Sequence, residues 1–95
     1  MAAYLVVDID VVDPVRYEVY KELAAPTLAV YGGKYLTRGG AVEVLEGKWQ
    51  PGRFVVVEFP SVERANAWWN SDIYKAAKKL RQETANTNMI LVQGI

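Results

Sequence analysis

The stretch Tyr31–Ser61 reads YGGKYLTRGGAVEVLEGKWQPGRFVVVEFPS and divides into strand-like segments at its glycines. Lys34–Arg38 and Ala41–Glu46 are predicted to form a hairpin around Gly39-Gly40. A two-glycine connection suits the positive φ angles of a tight primed turn. Trp49–Gly52 reads as a loop and Arg53–Phe59 as the next strand. FVVVEF is too apolar to be half exposed, so this strand needs cover on both faces, as in the middle of a sheet. Arg38, Glu46, Arg53 and Glu58 stand among these apolar residues. Buried charges are costly unless paired, so each of the four needs a partner or a purpose.

The same patterns continue on either side. Tyr4–Val12 is predicted as the first strand, with Leu5, Val7, Ile9 and Val11 on one face and Tyr4, Val6, Asp8 and Asp10 on the other. Asp13 caps a helix that starts with Pro14, where a missing N–H costs nothing. Tyr17, Tyr20, Ala24, Leu28 and Tyr31 recur at spacings of three and four and give that helix one inward face. Pro26 falls inside it and is expected to kink or divide it. Gly32-Gly33 ends it. Beyond the quoted stretch, Ser61 caps a second helix carrying Ala65, Trp68 and Trp69. Asn70-Ser71-Asp72 breaks and re-caps it, and a further helix runs to about Ala85 with Tyr74, Ala77, Leu80, Arg81 and Thr84 in its rows. Met89–Gln93 is the last strand.

The order β-α-β-β-α-β is the split βαβ pattern of the ferredoxin-like fold. The expected class is α+β: a four-stranded antiparallel sheet with its helices on one face, formed by a single domain over residues 1–95. Helices can cover only one face of that sheet, yet LVVDIDVV, FVVVEF and MILV are apolar on both. Soluble monomers rarely expose so large a patch. A second copy with two-fold symmetry covers it, so a homodimer is expected, its two sheets closing into a dimeric α/β barrel.

Composition narrows the chemistry. The chain has no cysteine and no histidine. Thiol nucleophiles, disulfides, the usual zinc and haem ligands and the Ser-His-Asp triad are therefore unavailable. Neither a metal site nor a cofactor is expected. Any acid–base group must be a carboxylate, tyrosine or lysine. A net charge of +0 gives no broad basic face for nucleic acid. Lys75, Lys78, Lys79 and Arg81 cluster on one helix and read as a solvated face. No apolar run approaches the about 20 residues of a membrane span, and the first residues lack the pattern of a signal peptide. The expected setting is the cytoplasm, away from membranes.

Several motifs carry a family resemblance. These are Asp13-Pro14 with Tyr17 and Tyr20, Gly32-Gly33, Arg38-Gly39-Gly40, and Glu46-Gly47 with Trp49-x-Pro51-x-Arg53. Glu58-Phe59-Pro60-Ser61, Trp68, Ser71 with Tyr74, and Arg81 complete the set. Together they resemble the small bacterial domain-of-unknown-function family thirteen-thirty, of the dimeric α/β-barrel superfamily. The resemblance implies the fold and the dimer; it supplies no chemistry. The wider superfamily includes cofactor-free monooxygenases, lactone isomerases and haem enzymes, and carrying any of these over would be analogy of fold.

The candidate site is a pocket between sheet and helices. Arg38, Arg53 and Arg81 are its candidate anion-holding cations, since guanidinium suits planar anions. Tyr17 and Trp68 are candidate lining groups. Glu46 and Glu58 are the candidate catalytic bases, because a carboxyl in an apolar wall can move a proton. Strand alternation puts Arg53 and Glu58 on opposite faces. Asp8 is expected either in a site or in a hydrogen-bonded position. The expected function is binding of a compact acidic or aromatic metabolite, with cofactor-free isomerase or monooxygenase chemistry as its enzymatic form. The rival reading is a structural or interaction module in which the charges are salt bridges.

Overall fold

In a computed structural model covering residues 1–95, the chain forms a two-layer slab only 16 Å thick in its thinnest direction. The elements are β1 Ala3–Val11, α1 Pro14–Val30, β2 Lys34–Arg38, β3 Arg53–Phe59, α2 Val62–Trp69, α3 Asp72–Thr84 and β4 Ala85–Gln93. The sheet order is β2-β3-β1-β4, and every neighbouring pair is antiparallel. This is the predicted α+β ferredoxin-like arrangement.

Local chemistry sets the boundaries. The Asp13 carboxylate accepts the Arg16 N–H at 3.2 Å, and Pro14 follows at the first helical position. Helix α1 is not divided at Pro26. It ends at Gly32 (φ +78°), with the Gly33 N–H returned to the Leu28 carbonyl at 2.8 Å. Ser61 and Ser71 cap α2 and α3 by accepting the N–H groups of Arg64 and Tyr74. Helix α3 passes into β4 without a loop, so β4 starts at Ala85 rather than Met89.

The hairpin expectation is corrected. Ala41–Glu46 is not a strand, and residues 40–52 form an exposed arm without regular secondary structure. β2 pairs directly with β3, from Lys34↔Glu58 to Arg38↔Val55, with a bulge between Tyr35 and Thr37. Of the two glycines, only Gly39 has positive φ (+71°), whereas a primed turn of type I′ needs two such residues. The ladder closes with the Gly39 N–H on the Phe54 carbonyl at 2.8 Å, and the arm leaves the sheet there.

The helix-facing side of the sheet buries Leu5, Val7 and Ile9 of β1 and Val55, Val57 and Phe59 of β3. Trp68, 2% exposed, fills the centre of the helical layer. Its indole N–H donates to the Thr27 hydroxyl at 3.0 Å, which donates onward to the Ala24 carbonyl at 2.7 Å. Trp69 is half-buried, and its ring carries the Lys78 ammonium 4.1 Å from its centroid. The consecutive tryptophans thus divide between core and rim. The opposite side of the sheet has no helix. Ile90 and Val92 stand 60% and 43% exposed there, opposite Val6 and Tyr4 in the register.

Candidate functional site

A small cavity of about 40 Å³ lies between the sheet and the helices and opens through its mouth to solvent. Eleven of its fifteen lining residues are hydrophobic, and the other four are Lys21, Arg38, Arg53 and Arg81. All four are cations. No aspartate or glutamate lines it.

Each element delivers its group by its own periodicity. In β3, alternation places Arg53 on the same side as Val55 and Val57. In β2, Tyr35 and Arg38 lie opposite Val57 and Val55, so the bulge between them keeps both on the cavity side. In α1, Tyr17, Tyr20 and Lys21 occupy successive turns of the inner face. In α3, Tyr74 and Arg81 are seven residues apart, two turns on one face.

The arginines are held without counter-ions. The chain's ion pairs are Arg16 with Asp13 and with Glu83, and Lys21 with Glu18. Arg38, Arg53 and Arg81 take part in none of them. Arg81 is only 4% exposed, and its Nε donates to the Tyr74 hydroxyl at 3.3 Å. The Arg53 Nε is buried and has no hydrogen-bond partner. Its guanidinium carbon lies 5.9 Å from the centroid of the Tyr17 ring. Its Nη1 occupies the space over Gly39, where an added Cβ would come within 2.5 Å. At the mouth, the Arg38 guanidinium stacks on Tyr35, 4.7 Å from the ring centroid.

The phenols keep their protons. Burial pushes the Tyr17 pKa above the usual phenol value, outweighing the opposing pull of Arg53 and Arg81. Burial also raises Tyr20, reinforced by the adjacent Tyr74 hydroxyl 3.0 Å away. In that hydrogen bond either hydroxyl can donate, and the Tyr74 oxygen also accepts from the Arg81 Nε, since a guanidinium can only donate. The polar lining therefore offers donors: guanidinium, ammonium and neutral phenol.

The carboxylates named from the sequence lie elsewhere. Glu58 is on the helix-free face, opposite Lys34 and Tyr4 in the register. Glu46 is exposed on the arm, in a surface groove with Val44, Leu45, Trp49 and Phe54. The structure does not bring either to the arginines. Asp8 accepts the Trp49 indole N–H at 2.8 Å and the Gly52 N–H at 2.9 Å, pinning the end of the arm to the helix-free face. Tyr17, Trp68, Arg38, Arg53 and Arg81 do share the cavity. Sequence reasoning did not name Lys21 or Tyr35 for it, nor Tyr74 as the residue that orients Arg81. The four-residue step from Tyr17 to Lys21 and the seven-residue step from Tyr74 to Arg81 were the available signals. No cluster of three metal-ligating side chains is present, and no helix is long and apolar enough to cross a membrane.

The family described as Domain of unknown function (DUF1330) matches residues 2–95. No curated protein matches the chain. Among solved structures, the chain is similar to a protein of unknown function from Rhodopseudomonas palustris. The two share 18% identity and a TM-score of 0.81, covering 99% of this chain and 82% of that one. SnoaB, described as a cofactor-independent oxygenase from Streptomyces nogalater, aligns over 99% of this chain and 93% of its own. It has 10% identity and a TM-score of 0.69. A dimeric ferredoxin-like protein of unknown function from Jannaschia sp. CCS1 aligns over 99% and 100%, with 10% identity and a TM-score of 0.68. At these identities the likeness is one of fold.

Proposed function

We propose, for a chain that belongs to the DUF1330 family, a homodimeric protein that binds one compact acidic metabolite in the cavity between sheet and helices of each subunit. The observation that carries this reading is a counter-ion-free pair: Arg81, which is buried, and Arg53, half-buried with a buried and unpartnered Nε. A charge taken out of water needs compensation. Here the protein supplies no carboxylate, only the Tyr74 hydroxyl to Arg81 and the Tyr17 ring beside Arg53, and both arginines line the cavity. The mostly hydrophobic wall adds that the rest of the ligand is apolar and compact.

The salt-bridge reading receives no support from Arg38, Glu46, Arg53, Glu58 or Arg81, since none of them is in an ion pair. The dimer is supported by the exposed apolar side of the sheet and by the dimeric state of fold relatives. Cofactor-free catalysis is the second reading. It is favoured by the neutral Tyr17 phenol beside the arginines, a combination that stabilises negative charge developing on an oxygen.

Calorimetric titration with a panel of small aromatic and enolic acids tests the site. At least one should bind saturably to the native protein and at least about tenfold more weakly to Arg81→Met. The variant should remain folded, because removing an unpaired buried charge costs little stability. Binding to none of the panel, or binding indifferent to both Arg81→Met and Arg53→Gln, overturns the proposal.

A further inference from the structure

Resting on that anion-site reading, we infer that the cavity takes a weak organic acid, a phenol or enol. It holds that acid as its conjugate base, with the proton passing to solvent and not to the protein.

The argument starts from what faces the ligand space. Helix α1 contributes Tyr17, Tyr20 and Lys21, β2 contributes Tyr35 and Arg38, β3 contributes Arg53 and α3 contributes Arg81. Strands β1 and β4 contribute only apolar side chains. Lys21 is engaged by Glu18 at 2.8 Å, and that carboxylate lies on the outer side of α1. No group in this set is a proton acceptor near neutral pH. A general base must come within hydrogen-bond reach of the proton it removes. Glu46 and Glu58 fail that condition because they belong to the arm and to the other face of the sheet.

A proton can still leave the ligand without a base. Opposite charge within about 4–6 Å lowers the pKa of an acid by about 1–3 units. The buried Arg81, the half-buried Arg53 and the neutral Tyr17 phenol beside it make a site whose preference is for the ionised oxygen. The O–H bond of the ligand breaks, its electron pair stays on oxygen, and the proton is released to water. Such a site alters a phenol or enol, which is neutral in water at physiological pH. A carboxylic acid is already ionised there, so it binds without releasing a proton. The wall favours the same class: Trp68, Tyr35 and the aliphatic residues of β1 and β3 suit a flat apolar body.

The test uses 4-nitrophenol, whose ionisation is visible by absorbance, with benzoate as the carboxylate comparison. The expected result is saturable binding of 4-nitrophenol with its apparent pKa lowered by about 1–3 units. Proton release into weakly buffered solution should accompany binding. Arg53→Gln and Arg81→Met should each abolish the shift, whereas Arg16→Gln, outside the cavity, should retain it. Binding of 4-nitrophenol with an unchanged or raised pKa overturns the inference. So does binding of benzoate alone, which would leave the anion site standing. Binding of neither overturns the anion site itself.

Discussion

Tyr20 shows at the scale of a single residue how burial becomes a measurable property. Its phenol is held neutral by burial and by Tyr74, above the 10.0 of a free phenol. In the unfolded chain the same group ionises near 10.0. The stability gained from keeping the proton is therefore present below that pH and is lost as pH rises beyond it, where only the unfolded state ionises. Urea unfolding should give a flat midpoint from neutral pH to about 10 and a decline above it, shallower in Tyr20→Phe. Identical alkaline profiles for the native protein and Tyr20→Phe would contradict a buried, protonated Tyr20. The cavity's residues were partly legible in the sequence. Arg53 follows the period of β3, and Tyr17 follows the helical row of α1. Glu46 was not placed correctly, because a local sequence does not reveal whether a segment finds a strand to pair with.

Turn chemistry decides what happens at the scale of elements. Gly39 joins three functions: its φ of +71° sends the arm off the sheet, its N–H closes the β2–β3 ladder, and its bare Cα admits Arg53. Gly39→Ala would therefore strain the backbone and push the guanidinium from its seat. The expected cost is about 1–2 kcal/mol in chemical denaturation, together with weakened ligand binding. A variant with native stability and native affinity would show that the seat is not needed. Gly39-Gly40 misled the sequence reading because a glycine pair permits a primed turn without enforcing one. The capped starts of α1, α2 and α3 were readable, since Asp13, Ser61 and Ser71 act within three residues of themselves. Pro26 was overestimated as a divider: α1 buries Ala24, Thr27 and Leu28 on either side of it, and packing maintains the helix through the missing hydrogen bond.

For the whole molecule the decisive feature is the uncovered side of the sheet. Its exposed Ile90 and Val92 and half-buried Tyr4, Val6, Phe54 and Val56 make a continuous apolar surface. In the proposed two-fold dimer each residue of that surface is used twice. A single Ile90→Lys substitution thus buries two unpaired charges at the interface. Sedimentation velocity should show a dimer for the native chain and a monomer for the variant at the same concentration. A dimer that survives Ile90→Lys would place the interface elsewhere. The two-faced apolarity of β1 and β3 was visible in the sequence, because a sheet backed by helices on one side leaves the second face to be explained.

The strand order β2-β3-β1-β4 alternates between the two halves of the chain. β1 and β2 precede the arm of residues 40–52, and β3 and β4 follow it. All three ladders join a strand from one half to a strand from the other. Neither half holds two neighbouring strands, so the halves mesh like the teeth of two combs. A cut through the arm would sever the only covalent link between them while leaving every ladder intact. The fragments would then stay together by sheet hydrogen bonds and shared core alone, and their co-elution from a sizing column would measure that grip directly.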